Sequence, residues 1–170
     1  MAKKRSYIIF LVEDDQVFAK TMELHLKEHL KFPFDIHTFP NGEDCMANLE
    51  MKPSIIILDY FLNSQNPKAE NGFEILKKIK KLDPEIEVIM LSAQDKIQIA
   101  VNSMIYGAYN YLTKNEVAFF RVENTIINII KVIRSREEIK AVKKGEIMVF
   151  VLLAIIAAIA GTVYYLYPYV

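Results

Sequence analysis

Apolar residues in this chain follow two rhythms. Short, dense apolar runs occupy residues 7–12, 55–58, 86–91 and 108–112, with a weaker one at 35–39. Between them lie longer stretches where apolar residues recur every three or four positions, the spacing of one helix face. Residues 16–31 place Phe18, Met22, Leu26 and Leu30 on such a face, and residues 72–82 place Phe73, Leu76 and Ile79. Residues 43–51 and 96–106 predict two more helices, with Asn41 and Asp95 as their caps. A fifth starts near Glu116 and carries Phe119, Val122, Ile126, Ile129, Ile130 and Ile133 inward. Pro33, Pro40-Asn41-Gly42, Asp83-Pro84 and Gly107 punctuate the series. Five strands alternating with five helices predict an α/β, doubly wound, five-stranded parallel sheet with helices on both faces. Ser54-Ile55-Ile56-Ile57-Leu58-Asp59-Tyr60 is its centre: four large aliphatics, opened by Pro53 and ended by an acid, read as a strand buried on both sides.

Parallel strands bring their carboxyl ends to one edge, where α/β sheets carry their working groups. That edge collects Glu13-Asp14-Asp15 after the first strand, Asp59 after the third, Ser92 after the fourth and Lys114 after the fifth. Crowded carboxylates repel, and a hard divalent cation relieves them. Magnesium suits the set because it takes oxygen ligands and keeps positions open for phosphate oxygens. Asp59 is then able to act as an ionised nucleophile toward a phosphoryl group, with Mg2+, Lys114 and the Ser92 hydroxyl sharing the developing charge. Taken singly, an acid after a strand is more often a helix cap, and Asp15 fits that role.

Composition changes the picture at the C-terminus. Acidic and basic residues balance at 21 each, so no basic surplus points to nucleic acid. The single cysteine, Cys45, excludes an intramolecular disulfide framework and reads as a small core residue. The basic start, residues 1–5, precedes too short an apolar run for a signal peptide, which predicts a cytosolic first domain. The 52% hydrophobic content is concentrated late, and residues 147–170 hold no charge. The twenty-one residues 147–167 make about 31 Å of helix, enough for a hydrocarbon core of about 30 Å. Lys140, Lys143 and Lys144 precede this span, and Tyr164, Tyr165, Tyr167 and Tyr169 crowd its far end. The expected arrangement is a single-pass anchor in the cytoplasmic (inner) membrane with the N-terminal domain on the cytosolic side. The expected divisions are a domain at 1–134, a charged helical linker at 135–146, the transmembrane helix at 147–167 and a short tail at 168–170. Small residues four apart, Ala154 with Ala158 and Ala157 with Gly161, either let two anchors pack as a homodimer or reflect an alanine-rich span.

The chain resembles the response-regulator receiver domain of two-component signalling over about residues 5–133. The resemblance rests on Leu11-Val12-Glu13-Asp14-Asp15, Leu58-Asp59, Asn71-Gly72-Phe73-Glu74-Ile75-Leu76, Leu91-Ser92-Ala93 and Gly107-Ala108-Tyr109-Asn110-Tyr111-Leu112-Thr113-Lys114. It implies a flavodoxin-like fold, Asp59 as phospho-acceptor, and Glu13 and Asp14 as the acidic pair that holds magnesium, with Asp15 as the second choice for that pair. It further implies the backbone carbonyl of Phe61 as a metal ligand, Ser92 as switch hydroxyl, Lys114 as phosphate partner and Tyr111 as switch aromatic. Two departures stand out. Asn115 replaces the family's usual proline after the lysine, so a cis bond there is not expected. The loop from Asp59 to Gly72 is long and lacks the customary proline.

The expected function is a membrane-tethered, single-domain response regulator, phosphorylated by a histidine kinase or phosphotransfer protein and signalling to a downstream protein by contact. It is not expected to be an enzyme beyond its own aspartyl phosphorylation and dephosphorylation. A phosphate-independent membrane adaptor and a phosphate sink are the alternatives. His25 and His29, one turn apart on the first helix, read as polar-face residues or as a metal pair.

Overall fold

The computed structural model describes residues 6–62 and 70–166. The middle of the long loop, Tyr167, Tyr169 and the short tail lie outside them, as do the side chains of Tyr164 and Tyr165. Five strands, β1 (Tyr7–Val12), β2 (Phe34–Phe39), β3 (Ile55–Asp59), β4 (Glu87–Ser92) and β5 (Asn110–Thr113), form one sheet in the order β2-β1-β3-β4-β5. Every pairing is parallel. The helices are α1 (Gln16–His29), α2 (Gly42–Ala47), α3 (Gly72–Leu82), α4 (Ile97–Ile105) and α5 (Ala118–Leu166).

Burial follows the strand order. Every residue of β3 and β4 is buried, whereas the edge strands β2 and β5 are half-covered. Alternation divides the aliphatics between the two faces. Phe10, Val12, Ile56, Leu58, Val88 and Met90 share one core with Cys45 of α2 and Ile75, Leu76 and Ile79 of α3. The Cys45 thiol is free and fully buried, and burial pushes its pKa up to about 12. The intervening Ile9, Leu11, Ile57 and Ile89 point the other way and are equally buried. On α1 and α5, Met22, Leu26, Val122 and Ile126 are buried too, and the Phe18 and Phe119 rings stack at 5.2 Å between the two helices.

Several element boundaries differ from the sequence expectation, each for a local reason. The second helix stops at Ala47, because Asn48 Nδ2 donates to the Asp44 carbonyl and a single 3-10 turn, Leu49–Met51, follows. Asp95 does not cap α4. The cap is Lys96, whose carbonyl accepts from the Ile99 and Ala100 amides, with no side-chain cap bond. β5 begins two residues late, since Gly107 takes a left-handed φ of 93° and Ala108 N–H bonds the Ser103 carbonyl, closing α4. α5 starts at Ala118, after Asn115 has accepted the Val117 amide on its side chain and the Ala118 amide on its carbonyl.

The chain divides into two compact units, residues 1–129 and 130–170. The first holds the whole sheet and α1 to α4. In the second, the described residues form one helix. Among the described residues, one helix, Ala118–Gly161, is long and apolar enough to cross a membrane, and its apolar window is not covered by the rest of the protein.

Candidate functional site

The parallel registers decide which residues meet. Val12 of β1 sits beside Leu58 of β3, and Asp59 beside Leu91 of β4. Ser92 sits beside Thr113, so Glu13, Asp59, Ser92 and Lys114 all emerge at one edge. Backbone bonds continue past the strands and hold these residues. Glu13 N–H donates to the Phe39 carbonyl, Tyr60 N–H to Leu91, and Lys114 N–H to Ser92, at 2.8–3.0 Å.

Lys114 Nζ ties the carboxylates together. It lies 2.8 Å and 2.7 Å from the two oxygens of Glu13 and 3.0 Å from Asp59 Oδ2. It also stands 4.8 Å above the ring of Phe18, a contact that the helical spacing did not reveal. One ammonium faces two carboxylates that are almost wholly buried, with half-buried Asp14 close by. Burial first, and then the charge of Asp59, raise the Glu13 pKa to about 7 against the pull of Lys114. Asp59 is likewise raised, first by burial, while Lys114 and the Phe61 backbone amide act to lower it.

Two oxygens are left over. Asp59 Oδ1 is buried with no hydrogen-bond partner, and Glu13 Oε2 has the Lys114 ammonium nearby but no aligned donor. A buried carboxylate oxygen without a donor is costly. Glu13, Asp14 and Asp59 each offer an oxygen within 4.8 Å of the others. Hard oxygen donors, surplus negative charge and unsatisfied lone pairs fit a magnesium-type cation.

Asp15 stands apart from this group. Its Oδ1 accepts from the Val17 and Phe18 amides, at 2.9 and 3.0 Å, and caps α1. The Phe61 backbone amide faces the Asp59 carboxylate. Ser92 is fully buried, and its Oγ accepts from Gln94 N–H at 3.1 Å. The Tyr111 hydroxyl donates to the Gln94 carbonyl at 2.6 Å, so both groups hold the same turn after β4. Among the described residues there is no cis peptide bond, and Asn115 follows Lys114 in trans.

Gly72 is a functional position whose role sequence reasoning missed. Its N–H donates to the Tyr60 carbonyl at 2.9 Å, and a Cβ there would collide with the Asp59 backbone carbonyl. Only glycine lets the first turn of α3 approach the strand end so closely. The Asn71-Gly72 pair opening a helix was the available signal, with Asn71 Oδ1 accepting the Glu74 amide as the cap.

Comparison with known proteins agrees with this geometry. The family described as "Response regulator receiver domain" matches residues 9–119. The transcriptional regulatory protein CssR of Bacillus subtilis is 30% identical over 145 residues, covering 85% of this chain and 59% of its own length. The BeF3-activated receiver domain of DrrB, from Thermotoga maritima, superposes with a TM-score of 0.59 at 26% identity, over 72% of this chain and 98% of that one. The Mn(2+)-bound response regulator Rcp1 shares the fold, with a TM-score of 0.60 at 24% identity, over 69% and 90% of the two chains. The chain thus spans little more than half the length of CssR.

Proposed function

Because this chain belongs to the response regulator receiver family, we propose that it accepts a phosphoryl group on Asp59 from a histidine kinase or phosphotransfer protein. The carrying observation is the Lys114 ammonium within 3.0 Å of both Glu13 and Asp59, beside an Asp59 oxygen that has no donor. That oxygen attacks phosphorus as the donor's P–N bond breaks, and the departing imidazole keeps the bonding electrons. Lys114 offsets the charge gathered on the phosphoryl oxygens. Glu13, Asp14 and Asp59 are the residues that would hold Mg2+, which supplies charge neutralisation when bound. The chain catalyses only its own phosphorylation and dephosphorylation.

The switch is read through one turn. A phosphorylated Asp59 draws the Ser92 hydroxyl toward it, which withdraws the acceptor of Gln94 N–H. Tyr111, held to the same turn through the Gln94 carbonyl, then changes position and alters the surface around α4 and β5. A downstream protein reads that surface by contact.

The apolar half of α5 tethers this receiver to the inner membrane as a single-pass anchor, with the receiver in the cytosol. Support comes from the exposure of its apolar side chains and from Lys140, Lys143 and Lys144 before them. Small residues along the anchor permit a homodimer.

The test is incubation with acetyl phosphate and Mg2+. Wild type should acquire one acid-stable, alkali-labile phosphoryl group, and Asp59→Asn should acquire none. Equal labelling of the two proteins removes Asp59 from the mechanism, and no labelling of either favours a phosphate-independent adaptor. A half-life of seconds on wild type favours a phosphate sink over a signal.

A further inference from the structure

Away from the acidic pocket, a second set of metal-capable side chains gathers where α1 meets α5. His25 and His29 stand one helical turn apart and so share a face of α1. Their rings are nearly parallel, with centroids 4.1 Å apart and planes inclined by 21°. Glu123 reaches them from α5, with its Oε2 3.0 Å from His25 Nε2. One ligating atom from each of the three residues lies within 4.8 Å of the other two.

The local bonding prepares His29 as a ligand. Its Nδ1 lies 2.8 Å from the His25 backbone carbonyl. A carbonyl only accepts, so Nδ1 carries the proton and Nε2 keeps its lone pair. Backbone carbonyls commonly orient metal-binding histidines in this way. The side chains of His25 and Glu123 are 22% and 16% exposed, so the carboxylate is only partly hydrated and an ion still has a way in. Phe119 closes one side, its ring 5.8 Å from that of His25.

We propose that His25, His29 and Glu123 bind a zinc-class divalent cation that clips α1 to α5. Two imidazole nitrogens and one carboxylate oxygen form a donor set that suits zinc and its neighbours copper, nickel and cobalt, and suits magnesium poorly. The 3.0 Å between His25 Nε2 and Glu123 Oε2 is a hydrogen bond whose proton sits on His25. It falls a few tenths of an ångström short of the roughly 3.4 Å between tetrahedral ligands held about 2.0–2.1 Å from an ion, so the ion displaces that proton with a small outward shift. Three protein ligands leave a fourth position open to water. With an ion pair between His25 and Glu123 alone, His29 only stacks on His25 and bonds its carbonyl, whereas the metal site also gives the His29 Nε2 lone pair a role. The site is separate from the acidic pocket, so it stands or falls independently of the reading of Asp59.

The experiment uses the untagged full-length chain in detergent micelles, with excess Mg2+ present to occupy the acidic pocket. Zn2+ is titrated against a chelating dye, thermal unfolding is followed in parallel, and Co2+ is added separately to read visible absorption bands. Wild type should bind one Zn2+ with a Kd of micromolar or below and melt at a higher temperature when loaded. His29→Ala leaves the His25–Glu123 contact in place and should melt like wild type without metal, yet bind Zn2+ at least tenfold more weakly. Glu123→Gln should also lose at least tenfold. Absence of Zn2+ binding by wild type, unchanged affinity in both variants, or displacement of Zn2+ by Mg2+ would overturn the proposal.

Discussion

β3 and the late part of α5 are built from the same kind of residue and meet opposite fates. All five residues of Ile55–Asp59 are buried. Ile147, Met148, Phe150, Leu152 and Leu153 are each more than half exposed. The difference lies in what each stretch is offered as a cover. β3 has a strand on either side and an apolar helix face above and below, all supplied by its own unit. In the second unit the charged stretch ends at Glu146, and the helix from residue 147 on is apolar all round, with nothing among the unit's described residues to close over it. A helix of that kind needs an apolar surrounding from outside. Hydrophobicity states that a stretch avoids water, and not what will shelter it.

Matched substitutions give the sharpest test of that contrast. Ile57→Ala should destabilise the receiver by about 2–5 kcal/mol, the usual cost of emptying a packed aliphatic site. Ile156→Ala should leave the denaturant midpoint of the receiver unchanged. Val151→Lys should cost about 2.5–3.5 kcal/mol of membrane insertion and move protein into the soluble fraction without unfolding the sheet. If Ile156→Ala lowered the receiver midpoint as Ile57→Ala does, the apolar helix would be a core element and the contrast would fail.

Buried charge at the edge of β3 provides the next test. Without metal, folding raises Glu13 from 4.5 to about 7. The folded protein therefore keeps a proton that the unfolded chain releases above pH 4.5. That contribution is complete below pH 4.5 and is lost as pH climbs through 7. It amounts to roughly 3 kcal/mol at 1.36 kcal/mol per unit. A cation bound to the ionised carboxylates replaces the proton. The rise in melting temperature on adding Mg2+ should be small at pH 5 and largest near pH 8, as scanning calorimetry in both buffers would read. An equal rise at both pH values would separate cation binding from Glu13.

Gly72→Ala inserts a methyl group against the Asp59 carbonyl and should cost about 1–3 kcal/mol. Labelling of Asp59 should slow more than the stability loss alone accounts for, because the carboxylate is displaced with its backbone. The smallest effect belongs to the exposed helix. A Cβ at Gly145 would meet nothing within 4 Å, so Gly145→Ala should gain about 0.8–1 kcal/mol of helix propensity. Trypsin cleavage at the neighbouring lysines should slow by about fivefold, since cleavage follows the population of the open helix. No change in that rate would mean that residue 145 is not helical where the protease acts.

Much of this molecule could be read from order and spacing alone. The alternation of strand and helix determines a parallel sheet, and a parallel sheet puts Glu13, Asp59, Ser92 and Lys114 on one edge, because every strand must leave the sheet on the same side. Helix faces were legible for the same reason: Met22, Leu26, Leu76, Ile79, Val122 and Ile126 sit at helical spacing and are buried. Cap residues were less secure. Asp15 and Asn41 cap their helices, while Asp95 does not, because a cap depends on the backbone turn that precedes it as much as on the side chain.

What tertiary structure alone decided is which distant groups touch. Spacing along α1 pairs His25 with His29, but only packing brings Glu123 to them from 98 residues away. Gly72 is an ordinary helix start until the Asp59 carbonyl lies where its Cβ would be. Lys114 is a strand-end lysine until it is set between Glu13 and Asp59 and over Phe18. Local sequence settles periodicity because neighbouring side chains answer to one backbone geometry. Contacts across the fold depend on register and on the approach of whole elements, which no single stretch of chain encodes.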